Sequence, residues 1–219
     1  MPDRSLFRHA VVGALIVGLV PLVSAQEFGE VAAELRRNLD ALRGYTWKAK
    51  VEFSMDGELK STQVFQVSMD GDGKLHRELI SSEGKTTKQQ DAARHSLSSI
   101  RNSIDAYTGM SPDAFRAAFG ENPRTVQHGR GGEPTLITAS DVVSRGDTMQ
   151  IWVDPGDYRL LKLHLDTALQ RNPVRVEANF TQLEGGGPTY ASDSTLYTHS
   201  KKKALTLVTH NYDLTRSDP

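Results

Sequence analysis

The chain contains no cysteine in its 219 residues. That absence removes disulfides, thiolate nucleophiles and an acyl anchor on cysteine. The motifs H-E-x-x-H, G-x-S-x-G and the P-loop are missing too, so three common routes to hydrolytic or nucleotide chemistry are closed. Neither sign of charge dominates, with 26 basic residues against 27 acidic. A near-neutral chain lacks the basic face that a nucleic acid needs. No hydrophobic run is long enough to span a bilayer, because Ala10–Val23 stops short of the ~20 residues required.

What is present starts with that short run. Arg4 and Arg8 precede it, Pro21 breaks it, and Val23-Ser24-Ala25 has the small residues of a cleavage site. The pattern predicts an export signal over residues 1–25, cut between Ala25 and Gln26. An exported chain without disulfides fits a bacterial periplasm, and the remainder, 26–219, reads as one domain that is not an integral membrane protein. Asp3, Arg4 and Arg8 leave with the leader, so a slight acidic excess remains.

The domain opens on an amphipathic helix. Phe28, Val31, Ala32, Leu35, Leu39 and Leu42 recur at steps of three and four, and Gly44 is placed to end the helix. The period then drops to two. In Tyr45–Phe53 every odd position is apolar or aromatic and every even one polar, which describes a strand with one buried face. Asp56-Gly57 turns the chain into Leu59–Met69, and Asp70–Gly73 turns it again into Lys74–Ser81. The second strand puts Ser61 and Gln63 on the same side as Phe65 and Val67, so its inner wall is partly polar.

A helical insertion over about 85–120 follows, with a thin stripe of Ala93, Leu97, Ile100, Ile104 and Tyr107. Ser111-Pro112-Asp113 starts a second short helix carrying Ala114, Phe115, Ala118 and Phe119. After Pro123 the chain reads as strands: Thr135–Val143, Thr148–Asp154, Arg159–Asp166, Val174–Leu183, Ser194–His199 and Ala204–Leu214. About nine short strands with helices at the start and in one insertion predict a single curved antiparallel sheet.

Few residues suggest chemistry. His164, His199 and His210 are single and lack metal-ligand spacing, so no metal site is expected. The twelfth position from Asp70 is Ser81 rather than glutamate, so Asp70–Gly73 is a hairpin turn and not a calcium loop. Arg145-Gly146-Asp147 reads as a turn, and Lys201–Lys203 as a solvated one. Asn179-Phe180-Thr181 lies inside a strand and is discounted as a glycosylation acceptor. No catalytic residue and no cofactor are assigned, and the protein is expected not to be an enzyme.

The order of elements resembles the periplasmic outer-membrane lipoprotein carriers, the Lol-type sorting family. Two local features carry the resemblance: a helix ending just before the aromatic strand Tyr45–Phe53, and Ile151-Trp152-Val153-Asp154-Pro155 leading through a turn into the next strand. The resemblance implies an incomplete, half-open antiparallel barrel with an apolar inner face, helices packed over it, and shelter for acyl chains. The ligand it implies is a lipid or an acylated protein. Trp47, Val51 and Phe53 are expected to face one interior with Phe65 and Val67, extended by Leu161, Leu163 and Leu165. Leu97, Ile100 and Ile104 are expected to lie across that wall as a lid. The alternative is an envelope interaction module that uses the same fold to bind a protein partner and has no ligand cavity.

Overall fold

The structure is a computed structural model that describes residues 25–71, 74–84, 87–88, 90–95, 97–98, 100, 124–142, 145–169, 172–200 and 203–217. Helix α1 spans Ala25–Leu42. It ends where the Gly44 N–H reaches the Ala41 carbonyl at 3.2 Å. A second helical stretch includes residues 88, 90–95, 97–98 and 100. Ile104, Tyr107 and the helix expected after Ser111 lie outside the described residues.

Ten strands follow one another in the chain: β1 (Tyr45–Met55), β2 (Glu58–Met69), β3 (Leu75–Glu83), β4 (Arg124–Gln127), β5 (Thr135–Ser140), β6 (Thr148–Val153), β7 (Leu160–Leu169), β8 (Asn172–Gln182), β9 (Thr189–Ser200) and β10 (Lys203–Arg216). They form one sheet in the order β3-β2-β1-β10-β9-β8-β7-β6-β5-β4. Every described pairing is antiparallel. Strands β3 and β4 are the two edges, so the barrel stays open.

The alternation read in β1 gives its inner face directly: Trp47, Ala49, Val51, Phe53 and Met55 are all buried. The same face continues through Leu205 and Leu207 of β10, Val174 and Val176 of β8, Leu163 and Leu165 of β7, and Met149 and Ile151 of β6. Val31, Ala32 and Leu35 of α1, with Leu97 and Ile100 of the second helical stretch, join this core. Bulges at Phe53/Ser54, Val64/Phe65, Trp152/Val153 and Asn179/Phe180 interrupt the ladders. Such bulges increase the local twist and bend a strand, which suits a sheet curled around one core.

Turn chemistry fixes the register at one end. Asp56 and Gly57 both have positive φ, 53° and 81°, as a two-residue hairpin turn of the type I′ kind requires. The Asp56 carboxylate accepts from the Ala204 N–H at 3.0 Å and from Lys203 Nζ at 2.7 Å. The β1–β2 turn is thereby tied to the start of β10.

Several boundaries differ from the expected ones. Strand β4 was not anticipated. Strand β9 begins at Thr189, five residues before the expected Ser194. Strand β8 begins at Asn172, two residues before the expected Val174, and Pro173 is exposed near the strand start, where its missing N–H is tolerated. Strand β5 ends at Ser140 rather than Val143. The turn at Arg145–Asp147 is more than a plain connection. Asp147 is buried, and its carboxylate accepts from the Val142 N–H at 2.6 Å and from the Thr167 hydroxyl at 3.3 Å.

Candidate functional site

The inner face is not filled evenly. Beneath the C-terminal half of α1 the structure leaves a cavity of about 130 Å³. Leu35, Leu39 and Leu42 line it from the helix, while Trp47, Val67 and Leu75 line it from β1, β2 and β3. Leu160, Val176 and Phe180 complete the wall from the far side of the sheet. The 3.6-residue stripe of α1 makes the roof, and the two-residue alternation of the strands makes the floor.

Polar groups in this cavity are mostly engaged. Trp47 Nε1 donates to Asn211 Oδ1 at 3.2 Å, and Asn211 Nδ2 donates to the Ala191 carbonyl at 2.7 Å. The Arg159 guanidinium bonds Gln182 at 2.5 Å, with Asp154 at 3.4 Å and Asp157 at 3.7 Å. The Gly156 N–H, and after it the Asp157 N–H and Arg159, hold the Asp154 carboxyl below its ordinary range in spite of partial desolvation. Arg77 also borders the cavity.

One polar tie fastens the roof. Asn38 of α1 donates from Nδ2 to the Thr189 carbonyl at 2.6 Å and accepts the Thr189 N–H on Oδ1 at 2.5 Å. A side-chain amide here stands in for a neighbouring strand at the first residue of β9. Nothing in the apolar stripe pointed to Asn38; only its position on the same helix as Leu35, Leu39 and Leu42 could have suggested it.

The residues expected in the interior separate into three groups. Trp47 and Val67 line the cavity under α1. Val51, Phe53 and Phe65 line a second cavity of about 160 Å³ beside the second helical stretch. Leu97, Ile100, Leu163 and Leu165 are buried in the main core and line neither cavity. Leu161 falls out of the inward set. A bulge pairs Val153 with Leu160 rather than Leu161, so Leu160 is buried and lines the cavity while Leu161 is half-buried. Helix α1 roofs the cavity of about 130 Å³, while Leu97 and Ile100 are buried in one core with Val51, Phe53, Leu163 and Leu165. Ile104 lies outside the described residues, and of the expected cleavage pair, Ala25 and Gln26 open α1.

Charged side chains meet on the strands away from the two cavities, where Arg175 and His164 reach Asp166. Burial raises the Asp166 carboxyl, but hydrogen bonds from Arg175 at 2.9 Å and His164 at 2.7 Å outweigh it and lower the pKa. Among the described residues no group of three or more His, Asp or Glu side chains could hold a metal ion. Among the same residues no helix is long and apolar enough to cross a membrane.

No family model matches the sequence, and no curated protein matches it. Solved structures do. A LolA superfamily protein from Nitrosomonas europaea is similar over 90% of this chain and 96% of its own, at 14% identity and a TM-score of 0.45. A putative outer membrane lipoprotein-sorting protein domain from Vibrio parahaemolyticus covers 87% of this chain and 92% of its own, at 14% identity and a TM-score of 0.37. A chain of the MucA/MucB complex of Pseudomonas aeruginosa covers 87% of this chain at 8% identity, with a TM-score of 0.21.

Proposed function

We propose that the protein binds a ligand with a long apolar chain, a lipid or an acyl group on a protein, between α1 and the inner face of the sheet. The proposal places it in the envelope, exported by the leader over residues 1–25, and gives it no catalytic role. The observation that carries this reading is the cavity of about 130 Å³ walled by Leu35, Leu39, Trp47, Val67, Leu160 and Phe180. A cavity lined mainly by apolar side chains favours an apolar guest, because water inside it finds few partners.

The size says what binding must do. A cavity of ~150 Å³ accepts one benzene, so the resting space takes a few methylenes and no more. A longer chain needs α1 to lift or slide. Burial of Val31, Ala32 and Leu35 opposes that movement, as does the Asn38–Thr189 pair. An acyl chain offers compensating apolar area, at about 0.8 kcal/mol for each methylene it buries.

A docking module is the second reading, and one observation favours it. Leu59, Leu79 and Ile80, at and next to the edge strand β3, are more than half exposed. Against it, Ile80 is the extra residue of the bulge that pairs Val64 with Ser81 and Phe65 with Leu79. Bulged edges resist strand addition.

Native mass spectrometry of the protein purified from its own envelope tests the choice. A co-purifying lipid or acyl mass is the expected result. An apo mass accompanied by a stoichiometric protein partner would overturn the lipid reading and leave the docking module.

A further inference from the structure

The second cavity differs in kind from the first. Its volume of about 160 Å³ is well above the ~10–15 Å³ that holds a single water. Ser61, Gln63, Arg77, Arg94 and Ser98 border it over an apolar floor, and no carboxylate is among its described lining residues. Arg94 pairs with Asp91 at 3.2 Å, one turn back on its own helix, and Asp91 does not line the cavity.

Ser61 is the informative residue. It is only 3% exposed, and its Oγ has no hydrogen-bond partner among the described residues. Buried hydroxyls are ordinarily satisfied, so an orphan beside a roomy polar cavity marks a place where something else supplies the partner. The surroundings say what that is. Two guanidinium groups and a hydroxyl offer hydrogen-bond donors, and arginine forks match the oxygens of phosphates and carboxylates. Arg77 borders both cavities, which sets the polar space against the apolar one.

We propose that the cavity around Ser61, Arg77 and Arg94 seats an oxyanion, and that this group is the head of the chain-bearing ligand. The head assignment rests on the reading under the previous heading; the oxyanion seat itself does not. The ligand class is therefore an anionic amphiphile, its tail under α1 and its phosphate or carboxylate against the second helical stretch. This also gives the polar side of β2, Ser61 and Gln63, a purpose that a uniformly greasy wall does not need.

Calorimetric titration of the folded protein with decyl phosphate, decanol and inorganic phosphate tests it, using wild type, Arg94→Gln and Ser61→Ala. Decyl phosphate is expected to bind about tenfold or more tighter than decanol, the gain from charge-assisted hydrogen bonds. Both variants should lose most of that preference while binding decanol as before. Ser61→Ala removes an orphan hydroxyl, so it should melt no lower than wild type, and it keeps the test informative if Arg94→Gln folds poorly. Binding of inorganic phosphate as tight as decyl phosphate, lost in both variants, would support the seat for a free anion and overturn the tail. Equal binding of decanol and decyl phosphate in all three proteins would overturn the oxyanion seat and leave the tail reading intact. No binding of any probe would overturn both.

Discussion

Strands β5 to β7 and strands β1 to β3 share one inner face but fill it differently. In β5–β7, Ile137, Ala139, Met149, Ile151, Leu163 and Leu165 alternate without a gap and are closed off from solvent. In β2 only Ser61 and Val67 are buried, and no residue of β3 is. Both cavities have walls at this second end. The alternation of period two therefore decides which face looks inward, but the sizes and polarity of the residues on that face decide whether it becomes core or site. One end of the sheet serves as the anchor, and the other has room for a guest.

The contrast predicts unequal costs for the same substitution. Leu163→Ala leaves a hole in close-packed surroundings, and such changes cost about 2–5 kcal/mol. Leu75→Ala enlarges a space that already exists and removes a half-buried contact, so its cost should stay below about 1.5 kcal/mol, while binding of an apolar chain weakens. Chemical denaturation of both variants checks this. Equal losses would mean that the two ends pack alike and would break the comparison.

A second substitution addresses the roof. Asn38→Ala removes both hydrogen bonds to Thr189 and leaves its buried backbone groups unpaired, at a cost of about 1–3 kcal/mol. Opening of α1 should become easier by part of that amount. The expected result is faster hydrogen exchange in α1 and at the start of β9, with faster uptake of an acyl probe. Unchanged exchange in α1 would show that apolar burial alone holds the roof.

Much of this architecture was legible in the chain, for identifiable reasons. Helix α1 and strand β1 carry long, unbroken periods of 3.6 and 2, so both their type and their inner face could be read. Strand β4 escaped because four residues, with Val126 buried between exposed Thr125 and Gln127, are too few to give a period to count. The start of β9 escaped because Thr189–Ser194 shows no regular alternation, with Tyr190 and Ala191 adjacent among polar residues, and its strand state comes from pairing with β8. Leu161 was assigned inward because a bulge shifts the alternation by one, which spacing alone does not reveal. Within the site, apolar residues such as Trp47 and Val67 were found. Asn38, Arg77 and Arg94 were not, since polar residues on apolar-patterned elements read as their wet faces.

The smallest expected effect concerns acid. The Lys203 ammonium first, and then the Ala204 N–H, hold the Asp56 carboxyl below its ordinary range against a small opposing desolvation. A carboxyl lowered on folding stabilises the protein above its unfolded pKa, and that contribution is lost as pH falls through the folded value. Stability should therefore be flat with respect to Asp56 at neutral pH and decline below about pH 4, the usual range for aspartate. Asp154, at the β6–β7 turn, is lowered by the Gly156 N–H and follows the same sign at the packed end of the sheet. Asp56→Asn and Asp154→Asn should each make the acid side of the melting-temperature profile slightly shallower. Asp56 is exposed and Asp154 only half-buried, so solvent screening keeps each change small. Hydrogen exchange at low pH separates the two ends: Asp56→Asn should alter protection in β1 and β2 alone if the cavity-bearing end opens by itself. Identical changes across β5–β7 would show that the sheet opens as one unit, and that its anchor and its site are distinct in packing but not in stability.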